Sequence, residues 1–97
     1  MENQKWATQE LEATVIEYVR MLNMQQQGES FVKLDVYRAL SKKFGRKTSA
    51  YEKRMQNISH IFSTLSKPWI DGLKPLDHIG SNVEPVLRYM INEHYYD

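Results

Sequence analysis

Residues 44–65 read FGRKTSAYEKRMQNISHIFSTL, and this stretch decides the fold. Tyr51, Met55, Ile58, Phe62 and Leu65 recur at the 4-3-4-3 spacing of one helical face. At ~100° per residue they fall within a sector of roughly 80°, which predicts an amphipathic helix with that stripe in the core. The opposite sector holds Ser49, Lys53, Gln56, Asn57, His60 and Thr64. Ser49 and Glu52 have the S-x-x-E spacing of a capping box, so the helix is expected to begin near Ser49. Ahead of it lies a basic turn around Gly45, Arg46, Lys47 and Thr48.

Three further helices are predicted by working outward. From Lys33 to Phe44, Val36, Leu40 and Phe44 form a stripe helped by Tyr37. Lys42 and Lys43 suit its last turn, Gly45 its stop, and Ser30 is a candidate cap. From about Gln9 to Met24, Leu11, Val15, Tyr18 and Leu22 define a face that Ile16 and Val19 widen. Thr8 is its expected N-cap, Glu10 and Glu12 sit in its first turn, and Gly28 follows its end. From about Val83 to His94, Val83, Val86, Leu87, Met90 and Ile91 point inward. Ser81 or Asn82 is a possible cap there, and Pro85 falls in the first turn. The apolar loop SKPWIDGLKPLDHIGSN is expected to pack as an ordered segment, with Trp69 in the core. The fold class is therefore all-α: one small four-helix domain over residues 1–97, with a helix-turn-helix outline made by the second and third helices.

The 97 residues carry a net charge of +1, but unevenly. Residues 1–32 balance to −3, residues 33–54 to +6 and residues 55–97 to −2, and eight of the thirteen basic residues lie in the middle segment. Segregated positive charge steers a polyanion to one surface. There are no cysteines, which excludes disulfides, thiolate nucleophiles and Cys-based zinc sites. No apolar run approaches a membrane span, and MENQKWATQE has no export signal, so a cytoplasmic protein is expected.

These features point to double-stranded DNA as partner, with neither catalysis nor a cofactor. Lys42, Lys43, Arg46, Lys47 and Arg54 are the candidate phosphate contacts, since charge alone suffices there. Ser49, Lys53, Gln56, Asn57 and His60 are the candidate base-reading groups. Gln56 and Asn57 have a second reading, in which their amides face water or hold backbone groups of the PWIDG loop. His60, His78 and His94 lack metal-ligand spacing, no phosphate-cradling glycine loop exists, and Asp77-His78 has no nucleophile to serve. The rival function is protein interaction, through the acidic first helix and the Tyr95-Tyr96 tail.

From Phe44 onward the sequence resembles the N-terminal helical domain of McrA-type HNH restriction endonucleases. The likeness rests most on Arg54-Met55-Gln56-Asn57-Ile58-Ser59, followed by Pro68-Trp69-Ile70 and Lys74-Pro75. Trp6 to Tyr18, Gly28 to Lys33 and Tyr37 to Leu40 extend it over nearly the whole chain. Lys53 stands where that family usually has an aromatic, and Leu73 precedes Lys74 in place of its Gly-Tyr. No His-Asn-His constellation follows. The resemblance implies DNA recognition in a restriction or phage–host system, by a domain separated from its nuclease or a stand-alone relative; the rival protein-interaction reading would make it, for example, a phage-encoded inhibitor of such a system.

Overall fold

Tyr51, Met55, Ile58 and Phe62 lie fully buried along one side of the third helix, which sets the centre of the molecule. The computed structural model describes residues 5–96. Four helices follow in order: α1 (Thr8–Gln26), α2 (Lys33–Phe44), α3 (Thr48–Thr64) and α4 (Glu84–His94). The protein is all-helical, and the described residues include no strand. None of its helices is long and apolar enough to cross a membrane.

The contact pattern follows from the stripes. α1 packs against α4, α3 and α2, while α2 packs against α3. Leu11, Val15, Tyr18, Val19 and Leu22 of α1 are buried, as are Leu87, Met90 and Ile91 of α4. Phe62 meets the rings of Tyr18 and Tyr95 at centroid distances of 5.5 and 4.9 Å. Two apolar positions break the expected stripes. Ile16 is 42% exposed and Leu65 is 47% exposed, and each lines an open groove rather than the core.

The helix ends differ from the sequence expectation. No side chain caps any of the four N-termini. The N-cap positions fall to Ala7, Val32, Lys47 and Val83 rather than to Thr8, Ser30, Ser49 and Ser81 or Asn82. α3 starts one residue early, so Ser49 is already helical and the capping box does not form. The C-termini are more regular. After α1, Gly28 takes a φ of 75°, and the N–H of Glu29 reaches back to the Met24 carbonyl at 2.8 Å. After α3 the same wrap forms, Lys67 N–H to Phe62 O at 3.0 Å, but with Ser66 at a φ of 57°. A left-handed non-glycine residue costs about 1–2 kcal/mol.

Residues 65–83 connect α3 to α4 without helix, yet Ile70, Leu73 and Ile79 are buried. Polar clips hold the segment down. Gln25 accepts a bond from the Asp71 N–H at 2.7 Å and donates to the Trp69 carbonyl at 3.2 Å. Lys33 donates to the Asp71 carbonyl at 3.1 Å. Tyr18 Oη accepts from the Ile70 N–H at 3.2 Å and shares a 2.8 Å bond with Ser59. Burial pushes the Tyr18 hydroxyl up to about 12, so it remains a neutral bonding group. Trp69 itself is 38% exposed, contrary to the expectation of a core tryptophan: its backbone is tied to α1 while its ring lies at the surface.

Candidate nucleic-acid interface

The turn between α2 and α3 positions the basic segment. Gly45 closes α2 at a φ of 98°, a conformation that glycine adopts without a Cβ penalty, and its N–H bonds to Ser41 O at 2.7 Å. The chain then leads directly into Arg46, Lys47 and the first turn of α3.

Arg46 turns inward from this turn. Its Nε donates to Glu10 Oε2 at 2.8 Å, and its Nη2 donates to the Lys5 carbonyl at 2.8 Å. Glu10 is buried, with its Oε2 also accepting from Tyr51 Oη at 2.8 Å. Trp6 lies against both arginines, 4.2 Å from the Arg46 guanidinium and 4.6 Å from that of Arg54. Its ring meets Tyr51 edge-on at 5.4 Å. The Glu10 carboxylate pairs with Arg46, and the indole of Trp6 lies against both guanidinium groups. Burial, then the neighbouring Arg46 charge, lowers the pKa of Arg54. Burial, then the bond to Glu10, pushes the Tyr51 hydroxyl up to about 12.

This cluster corrects two sequence expectations. Arg46 and Arg54 are not free phosphate contacts. Arg46 is consumed by Glu10 and Lys5, and Arg54 by Trp6 and by a 3.1 Å bond from Nη1 to Asn57 Oδ1. Removing either partner of the buried Arg46–Glu10 pair leaves an uncompensated charge, so Arg46 is held in place.

For Asn57 the geometry favours the second reading, in which its amide holds the loop. It is 4% exposed, and its Nδ2 donates to the Leu76 carbonyl at 2.7 Å. The His78 carbonyl lies 3.4 Å from the same nitrogen. Gln56 Nε2 donates to the Lys74 carbonyl at 3.3 Å, and its backbone carbonyl accepts from the Leu76 N–H at 3.1 Å. Residues 74–78 thus lie across what the helical wheel presents as an open polar sector. Asn57 faces the loop rather than solvent. Gln56 is half-buried with its amide engaged.

The lysines behave oppositely. Lys42, Lys43, Lys47 and Lys53 are exposed, as is Ser49. Among the described residues no ion pair engages these lysines. Lys42 and Lys43 end α2, Lys47 is the N-cap of α3, and Ser49 and Lys53 stand one turn apart on its outer face. Lys43 lines a groove between α1 and α2, with its ammonium 5.3 Å from the Phe44 ring centre. His60 is half-buried farther along α3. Among the described residues no group of three or more His, Asp or Glu side chains is gathered to hold a metal. The His78 imidazole pairs with its neighbour Asp77, at 3.2 Å on the open surface.

Sequence reasoning missed Trp6, Glu10 and Tyr51 as partners of the basic turn. The one local signal was Glu10, which lies beside Leu11 and one turn before the buried Thr14. Thr14 donates to the Glu10 carbonyl at 2.8 Å. Comparison with protein-family models, curated proteins and solved structures finds no match to this chain.

Proposed function

We propose that this chain is a non-catalytic module that binds double-stranded DNA, within the restriction or phage–host setting implied by its resemblance to McrA-type recognition domains. The observation that carries this reading is the set of exposed lysines at the α2–α3 turn. Lys42, Lys47 and Lys53 stand without carboxylate partners beside an α3 N-terminus that no side chain caps. Ammonium groups and free helical N–H groups both favour phosphate. The two helices and their short turn supply a helix-turn-helix outline, in which α3 would enter the major groove and α2 cross the backbone.

The engaged amides limit what such a helix reads. Asn57 is committed to the loop and Gln56 largely so, leaving Ser49 and Lys53 as the outward groups nearest a base edge. Binding is therefore expected to rest mainly on phosphate and to discriminate weakly between sequences. Three lysines predict a slope of log K against log salt near −3. Fluorescence anisotropy with labelled random duplex, titrated with salt from ~50 mM upward, measures it. No binding at the lowest salt would overturn the reading and favour a protein-interaction module instead.

A further inference from the structure

Apart from Lys43 at its edge, the α1–α2 groove plays no part in the duplex reading. It measures about 450 Å³ and is lined by Ala13, Ile16, Val36, Ala39 and Leu40 between charged edges. On the α1 edge, Glu17 and Arg20 bond to each other at 2.7 Å and cancel. On the α2 edge stand Asp35 and Lys43, neither in an ion pair among the described residues. They are eight residues apart, ~12 Å along a helix, too far to pair with each other. Ala39 lies midway between them and is exposed.

That spacing is self-complementary. When two identical helices pair antiparallel about a two-fold axis, a residue n positions after the axis faces the residue n positions before it. With the axis at Ala39, Lys43 of one copy faces Asp35 of the other, and the contact occurs twice. The small side chain on the axis lets the helices approach closely. Each α2 then lies over the other copy's groove and covers Ile16, which is otherwise 42% exposed.

We propose that the α1–α2 groove is a self-docking surface, closed by a second copy of this chain in an isologous dimer. Charge complementarity selects this occupant: an edge with one acid and one base, placed symmetrically about a small residue, matches itself. Arg38 and Lys42 repel across the same axis, which keeps the association weak at low salt. The dimer would present two lysine-bearing turns instead of one.

Sedimentation equilibrium of the full chain at ~150 mM salt, from ~10 µM to ~1 mM, tests this without DNA. A reversible monomer–dimer equilibrium is expected. Asp35→Lys or Lys43→Asp alone places like charges opposite each other at both contacts. Each should weaken dimerisation by about tenfold or more. The double variant carrying both changes should restore it. Ala39→Glu, at an exposed helical position, should abolish the dimer while helical circular dichroism is unchanged. A monomer throughout this range overturns the proposal. So does a dimer indifferent to the single exchanges, or a double variant that fails to recover.

Discussion

The arginines and lysines of the basic segment have the same formal charge and opposite fates. Arg46 folds back against Trp6 and Glu10 and Arg54 against Trp6 and Asn57, whereas Lys42, Lys47 and Lys53 remain in solvent. The difference follows from side-chain chemistry. A planar guanidinium stacks on an indole and divides several N–H donors among separate acceptors, as Arg46 does between Glu10 and Lys5. An ammonium is a compact, strongly hydrated charge that gains little from such a site. A cluster of positive charge in a sequence is thus two populations, one structural and one available, and only the second measures affinity for a polyanion.

The largest expected effect breaks the structural half. Arg46→Ala strands the Glu10 carboxylate with only the Tyr51 hydroxyl and should cost ~3–5 kcal/mol, read by chemical denaturation. A loss below ~1 kcal/mol would mean that Glu10 rehydrates, and the two populations would no longer differ in kind.

Alkali attacks the same cluster from the other side. The Tyr51 hydroxyl is held at about 12, above its ordinary 10.0, so folding favours its neutral form. That contribution is fully present below pH 10 and is lost as pH rises through about 12. Lysines and other tyrosines titrate nearby, so the informative quantity is the difference from Tyr51→Phe. The variant should be less stable at neutral pH, but its melting temperature should fall less steeply across this window.

Asn57→Ala sharpens the comparison on α3. It frees the Leu76 carbonyl and one Arg54 donor and should cost ~1–3 kcal/mol. Duplex affinity and the salt slope should not change, since the amide faces the loop. A loss of sequence discrimination with unchanged stability would instead return Asn57 to the reading surface.

The smallest effect on stability belongs to the lysines. Lys47→Ala should stay within ~0.5 kcal/mol of the parent in denaturation while flattening the salt slope by about one unit. Lys43→Ala should flatten it less, because that side chain lies in the α1–α2 groove.

The sequence makes some of this legible and hides the rest for physical reasons. The bounds of α2 agree with expectation because an apolar stripe, basic last turn and Gly45 all mark the same end. The inward face of α3 was readable from Tyr51, Met55, Ile58 and Phe62, since periodicity reports which side is apolar. It does not report what covers the polar side. Residues 74–78 reach Asn57 from about twenty positions away, and Glu10 reaches Arg46 from thirty-six. Local patterns offer the loop contact of Asn57 only as one of two readings and do not link Glu10 to Arg46. Ile16 and Leu65 fail for a related reason: a wheel gives direction, but the width of the buried sector depends on the neighbours. Ser49 as a cap failed because the N-cap falls two residues earlier, at Lys47.

The packing of α1 against α4 has a consequence for how the protein is made. Glu12 and His94 meet at 2.9 Å although eighty-two residues separate them. At a synthesis rate of ~5–20 residues per second, the first helix waits roughly 4–16 s for its last partner. During that interval the α2–α3 hairpin can form from near neighbours in the chain. Part of the apolar stripe of α1 stays uncovered on the ribosome, where a chaperone or a neighbouring nascent chain can find it. The slow, vulnerable step in the life of this small domain is set by the distance along the chain between its first and last helices.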